Sequence, residues 1–254
     1  AVAYRMGDVR AAEFYRLAYE EEPDDPALYS SFLLAQNAQE AAGDELFRAH
    51  CVYDSFFKDT PRYTYRVPYH HAKIRIGYIS PDFRAHVMAS FCWPFLATFD
   101  RDSFSVYAYS LALGDPYTDT FHSLVTVWRD VHEKTYAEIA RQIHADEIDI
   151  LVDLAGHTMG SGLPVLAYKP APVQVSGLGY MTTTGLRTVD YFWTDSFVDP
   201  VGQGDAYFSE HLVRLTSQFC YNGQTNLPAS AGAPAKARGY ILFASFNQYT
   251  KITD

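Results

Sequence analysis

Residues 149–185 read DILVDLAGHTMGSGLPVLAYKPAPVQVSGLGYMTTTG, and this stretch decides the fold. With Ile148 in front, it begins as a short, β-branched apolar run through Leu154. Such a run suits a strand covered on both faces of a parallel sheet better than a one-sided amphipathic strand. The chain then becomes Gly156-His157-Thr158-Met159-Gly160-Ser161-Gly162. Its glycines permit tight and left-handed backbone, while His157, Thr158 and Ser161 put polar groups on the loop. Open α/β sheets bind ligands outside the carboxyl ends of their strands. The loop is therefore either a ligand site or an ordinary strand-to-helix connection.

Outward from this stretch, strand and helix signals alternate. Ile74–Ser80 reads as a first strand, Phe104–Leu111 as a second and Val125–Trp128 as a short third. Thr135 with Glu138 three residues on forms a capping box that opens a helix over Tyr136–Ala145. Val173–Val175 and Asp190–Trp193 follow as strands. Gly239–Phe246 reads as one more, leading into a loop that opens a helix over 247–254. The alternation predicts a parallel, doubly wound sheet with right-handed crossovers. No G-x-G-x-x-G follows the first strand and no G-x-x-x-x-G-K-[ST] occurs, which argues against a classical dinucleotide or P-loop NTPase site.

Residues 1–60 differ in pattern, with Ala, Leu, Phe and Tyr at helical spacing and Glu-rich solvent faces. Ala11, Tyr15, Ala18 and Pro23 recur as on the second helix of a tetratricopeptide repeat, with Gly7 one position from the usual glycine. An ordinary amphipathic helix hairpin fits the same residues. A further helix or helix pair is expected over Leu28–Phe56. The segment Lys58–Lys73, with Pro61, Pro68, His70 and His71, reads as a linker whose histidines lack further metal ligands at matching spacing.

The bulk properties set limits. The formal net charge is −10 over 254 residues, which disfavours a general nucleic-acid or anionic-membrane binder. Cys51, Cys92 and Cys220 are too sparse for a disulfide framework or a zinc motif, and a reducing, cytoplasmic setting fits them. No apolar run is long enough to span a bilayer. The chain opens without Met inside a helical pattern, and the expectation is that it is a fragment.

Chemistry is then sought after the strands. Ser80-Pro81-Asp82-Phe83-Arg84-Ala85-His86 follows the first, with His86 at a helix start. A histidine there can serve as general base or as a donor to an anion. It can equally cap or pack the helix. At the other end Lys251, beside a helix amino terminus, is placed to hold a phosphate or diphosphate.

Taken in order, KIRIGYISPDFRAH, DILVDLAGHTMGSGLPVLAYKPAPVQV, LGY…TTG, VDYFWTD, AYFSEHLVRL and ILFASFNQYTKIT resemble the blocks of the SPINDLY/O-GlcNAc-transferase-type glycosyltransferases, in particular the bacterial SPINDLY-like branch. The resemblance runs from about Gly7 to the end. It implies a Rossmann-like amino-terminal domain of the GT-B architecture over 73–239. It also implies a tetratricopeptide-like helical segment over 1–60 and the start of a carboxyl-terminal nucleotide-binding domain over 240–254. Family members move a sugar from a nucleotide-sugar to Ser or Thr of proteins, one branch to Asn.

On these positions the resemblance makes His86 and Lys251 catalytic, and Thr158, His157 and Gln248 donor-binding. Tyr180, Thr183 and Gly185 belong to a loop expected to border the acceptor. The implied partners are a nucleotide-sugar, UDP-GlcNAc above all, and acceptor proteins or peptides. No metal, nucleic acid or membrane is implied. A chain lacking the second wall of the cleft is expected to be nearly inactive alone. Where relatives read W-L-G-Y-P-G-T-[ST]-G, this chain has Gly177-Leu178-Gly179-Tyr180-Met181-Thr182-Thr183-Thr184-Gly185, and Thr216 replaces a common Pro. These departures leave open a tetratricopeptide scaffold whose glycosyltransferase-like part only binds proteins.

Overall fold

The computed structural model describes residue 8 and residues 10–39, 43–65, 69–221, 229 and 232–245. Its centre is a seven-stranded sheet in the order β3-β2-β1-β4-β5-β6-β7, with every neighbouring pair parallel. The strands are β1 (Ile74–Ser80), β2 (Phe104–Ser110), β3 (Val127–Asp130), β4 (Ile150–Asp153), β5 (Val173–Ser176), β6 (Tyr191–Asp195) and β7 (His211–Leu215). The chain starts in the middle, winds outward through β2 and β3, then returns to β4 on the other side of β1. Ile76 pairs with Ile150 and Ile79 with Asp153 along that seam. The winding direction reverses between β1 and β4, the place where doubly wound sheets open a ligand crevice.

Successive side chains on a strand face opposite ways, and the two faces build two cores. Ile79, Tyr109 and Leu151 pack with Ile139 and Ile143 of α6 (Tyr136–Ala145). Tyr78, Val106, Ala108 and Val152 pack with Ala89, Cys92 and Leu96 of α4 (Val87–Ala97). Each fully buried Ile or Leu stabilises the fold by roughly 2 kcal/mol. The double coverage is why these strands lack a polar face. The capping box holds: Thr135 Oγ1 accepts the Glu138 amide while the Glu138 carboxylate accepts the Thr135 amide at 2.8 Å.

Ahead of the sheet lie α1 (Ala11–Glu21), α2 (Pro26–Gln36) and α3 (Gly43–Val52), the last running into a 3-10 turn over Tyr53–Phe57. Asp25 caps α2 by accepting the Ala27 amide at 2.7 Å, and Pro26 occupies its first position. Ala11, Ala12 and Ala35 form a small satellite core that joins α1 to α2. Tyr29, Leu33, Tyr53 and Phe57 belong to the same apolar cluster as Ile79 and Leu151, so the helices share a core with one sheet face. The remaining helices are α5 (Thr118–His122), α7 (Leu163–Leu166) and α8 (Pro234–Arg238).

Four readings of the sequence are corrected. The third strand sits two residues later than Val125–Trp128, because Val125 is buried in the helix-side core and pairing with β2 begins at Val127. Strand β7 had no strand signal assigned. Its residues alternate exposed and half-exposed on the sheet edge, which removes the apolar run that marks a central strand. Residues 239–245 form no strand: Ile241, Leu242 and Phe243 are exposed and have no ladder partner among the described residues, and a strand exists only through pairing. Phe246 lies outside the described residues.

Finally, His71 is no idle linker residue. Its ring nitrogens lie 3.0 Å from Glu147 and 3.0 Å from Asp149. Burial opposes its charge, but the two carboxylates win and raise its pKa. The linker itself is anchored, with Tyr63 stacked on His144 at 4.0 Å and its amide on the Tyr168 carbonyl at 2.9 Å. Among the described residues no helix is long and apolar enough to cross a membrane.

Candidate functional site

Two loops flank the reversal point. After β1, the Ser80 hydroxyl accepts the Asp82 amide at 3.0 Å and sets a turn that carries the chain to His86. His86 is the N-cap of α4, its Nδ1 accepting the Met88 amide at 3.3 Å. The same Nδ1 lies 3.4 Å from the Asp82 carboxylate. These partners require opposite tautomers. With Met88 bonded, Nδ1 is bare and Nε2 carries the proton, ready to donate. With Asp82 bonded, Nδ1 carries it and Nε2 is a free base. Burial raises the Asp82 pKa, and the charges of His86 and Arg84 pull it back. Capping engages only one nitrogen of the imidazole and leaves Nε2 without a part in the cap.

After β4, Asp153 ends the strand with its carboxylate fully buried. It accepts the Gly156 amide at 2.8 Å, the Ser176 hydroxyl at 2.7 Å and the Ala155 amide at 3.3 Å. Burial lifts its pKa to about 6 despite those donors. Gly156 takes φ +54°, and a Cβ there would lie 2.3 Å from Cβ of Tyr180. Thr158 hydrogen-bonds the Ala155 carbonyl at 2.9 Å and is half-buried, while Met159 is exposed. A Cβ built on Gly160 would sit 3.6 Å from Pro81, so the two loops are direct neighbours. Beside them a cavity of about 380 Å³ opens at the carboxyl ends of β2 and β3, lined by Leu111, Val131, Lys134, Tyr136 and Gly160.

The expected site residues thus separate into two groups. His86 and Thr158 come to adjacent strand ends with exposed or half-exposed side chains. His157, Tyr180, Thr183 and Gly185 face inward. His157 is 1% exposed, with Nδ1 2.9 Å from the Ser30 hydroxyl and Nε2 2.9 Å from the Thr184 carbonyl. Tyr180 donates to His50 Nε2 at 2.7 Å. Thr183 donates to Glu210 at 2.6 Å, and Thr184 gives the same carboxylate its amide at 2.8 Å. Gly185 has φ +72° and would drive a Cβ to 2.0 Å from the His50 carbonyl oxygen. Gln248 and Lys251 lie outside the described residues.

Several residues of this architecture carry no motif. Asp153 lies inside the run read as apolar through Leu154, and its one signal is a polar residue closing a strand just before a glycine loop. Ser30, His50 and Glu210 had no signal, since their partners lie 127, 130 and 27 or fewer positions away in sequence. Among the described residues no group of three or more His, Cys, Asp or Glu is arranged to hold a metal ion.

A parallel sheet that reverses its winding between β1 and β4 defines a Rossmann-like fold, a class whose members bind ligands at that point. The model of one family, glycosyl transferase family 41, matches residues 48–227. The chain is 36% identical over 244 residues to "Probable UDP-N-acetylglucosamine--peptide N-acetylglucosaminyltransferase SPINDLY" of Solanum lycopersicum, covering 91% of this chain and 26% of that protein. The Arabidopsis thaliana protein of the same description is 38% identical over 242 residues, with the same coverages. Among solved structures, an O-GlcNAc transferase mutant of Thermobaculum terrenum superposes with a TM-score of 0.85 at 32% identity, over 91% of this chain and 46% of that one. The chain belongs to glycosyl transferase family 41, and it spans about a quarter of the length of these curated relatives.

Proposed function

We propose that this chain supplies the amino-terminal wall of the active site of a protein O-GlcNAc transferase, which moves GlcNAc from UDP-GlcNAc to Ser or Thr hydroxyls of proteins. The observation that carries the reading is the meeting of the His86 and Thr158 loops at the reversal point between β1 and β4. Family membership supplies the reaction class. In this reading residues 73–239 are the first of two facing domains and residues 240–254 open the second. Residues 1–60 are the end of a tetratricopeptide array that leads acceptor proteins to the cleft.

The chemistry divides accordingly. An acceptor hydroxyl oxygen bonds to the anomeric carbon as the bond from that carbon to the diphosphate oxygen breaks, and UDP leaves with the electron pair. In its Asp82-paired tautomer, His86 takes the hydroxyl proton through Nε2; in the capping tautomer it donates to the donor's anionic oxygens. Thr158 lines the sugar side. Lys251 and Gln248 hold the diphosphate and offset the charge growing on it. His157 serves from behind, as a support of the Thr158 loop. The substitutions at Met181 and Thr182 leave this loop well tied, because Thr182 accepts from Asn37 at 2.6 Å and its neighbours bond Glu210.

In this reading the cleft needs two walls, and residues 73–239 on their own are expected to transfer little sugar. The test uses the protein at its natural length. UDP-GlcNAc with an acceptor peptide is expected to give a GlcNAc-modified Ser or Thr by mass spectrometry, and UDP a binding heat by calorimetry. A protein that binds neither UDP nor GDP and modifies nothing would instead be a tetratricopeptide scaffold.

A further inference from the structure

The buried contacts behind the loop carry more than packing. His50 in α3 lies 2.7 Å from the Leu46 carbonyl through Nδ1. A carbonyl only accepts, so Nδ1 carries the hydrogen, Nε2 is bare, and the Tyr180 hydroxyl must donate to it at 2.7 Å. His157 is fixed the same way. Nε2 faces the Thr184 carbonyl and carries the hydrogen, so the Ser30 hydroxyl donates to Nδ1. The rings of Tyr53 and His50 stand edge-on to His157 at 4.6 and 5.2 Å.

Two of these hydrogen bonds, Ser30 to His157 and Tyr180 to His50, run between the helical segment and the loops of the sheet, as do both ring contacts. Tyr180 is held by His50 on one side and fills the space under Gly156 on the other. His157 is held by Ser30 of α2 and Thr184 of the loop after β5. Gly156 and His157 immediately precede Thr158. The backbone of the Thr158 loop is therefore gripped by two hydrogen-bonded arms whose anchors, Ser30 and His50, lie on different helices.

We propose that Ser30, His50 and Tyr180 are positioning residues that set the Gly156–Thr158 loop for the sugar-nucleotide, so that the helical segment determines donor affinity. The assignment of the loop to the donor rests on the function proposed above, while the grip itself does not. Tyr180→Phe removes one hydroxyl with no change of ring, and Ser30→Ala one hydroxyl with no new bulk. A buried hydrogen bond left half-made costs enough to shift a local equilibrium by about tenfold.

The experiment compares the wild type with Tyr180→Phe, Ser30→Ala and the conservative Ser30→Thr in the protein at its natural length. Amide hydrogen exchange at Gly156 and Thr158 is expected to speed up by about tenfold in the first two, with the β1 amides of Ile76 and Tyr78 unchanged. KM for UDP-GlcNAc is expected to rise by about tenfold in both, with KM for acceptor peptide unchanged in Ser30→Ala, and Ser30→Thr to restore both readouts. Unaltered exchange at the loop, or equal acceleration in β1, would overturn the proposal, as would loop acceleration with an unchanged donor KM. If the wild type transfers no sugar, the function reading fails, and the exchange arm alone decides the grip.

Discussion

The indole of Trp193 occupies the room that a side chain on residue 177 would need: a Cβ built on Gly177 would lie 2.2 Å from Trp193 Cδ1. Position 177 is one where the family resemblance expects an aromatic residue. Here the aromatic comes from β6 instead, and Trp193 is nearly buried against Phe95 at 5.1 Å. A side chain on residue 177 and the indole of Trp193 thus compete for one volume.

That competition has a measurable consequence. Gly177→Ala should destabilise the protein by about 2 kcal/mol through overpacking. Combining it with Trp193→Leu should recover part of that loss, because the two changes share one space. Denaturant titration of both single variants and the double variant measures the coupling, and strict additivity would contradict the shared-volume account.

Gly185→Ala should be worse. The residue sits at φ +72° and its Cβ would meet the His50 carbonyl at 2.0 Å, a backbone atom that cannot turn aside. Left-handed strain and the clash together should cost more than about 2 kcal/mol, seen as a fall in melting temperature. A melting temperature within about a degree of the wild type would show that the helices do not dock on this loop as described.

Acid sensitivity should follow the buried titratable groups. Burial holds His50 down to about 4 and His157 well below the ordinary range. A depressed histidine binds its proton in the unfolded chain first, so stability is full above about 6.5 and lost as pH falls toward about 4. For His50 alone the loss is on the order of 3 kcal/mol. Asp153 works the other way: its raised pKa of about 6 means the folded state gains a proton first as pH falls. Asp153→Asn should therefore steepen the acid loss between pH 6 and pH 4, and His50→Gln should flatten it. Urea titrations at pH 7.5, 6 and 4.5 would measure the slopes, and identical slopes in all three proteins would contradict the assignment.

The sheet was legible because its strands are buried on both faces and need little beyond apolar runs and caps. Ile74–Ser80 and Tyr136–Ala145 fall where the sequence places them. The edges were not, since β7 pairs on one side only and keeps polar residues between its apolar ones. The loop after β4 was legible from its glycines, and His86 from its place before a helix. The inward turn of His157 was not legible, because nothing local distinguishes a histidine bonded to a serine 127 residues away from one facing a ligand. Glu210 was hidden for the same reason: the two threonines it holds are distant in sequence and adjacent only once β5, β6 and β7 stand in order.

One substitution separates the proposed sugar-transfer role of His86, in the crevice between β1 and β4, from its role as a cap. His86→Asn keeps a side chain that caps helices well and removes the imidazole. In the protein at its natural length, the transfer rate from UDP-GlcNAc to peptide is expected to fall by about a hundredfold or more with the melting temperature unchanged. Transfer at a near-normal rate by this variant would contradict the account.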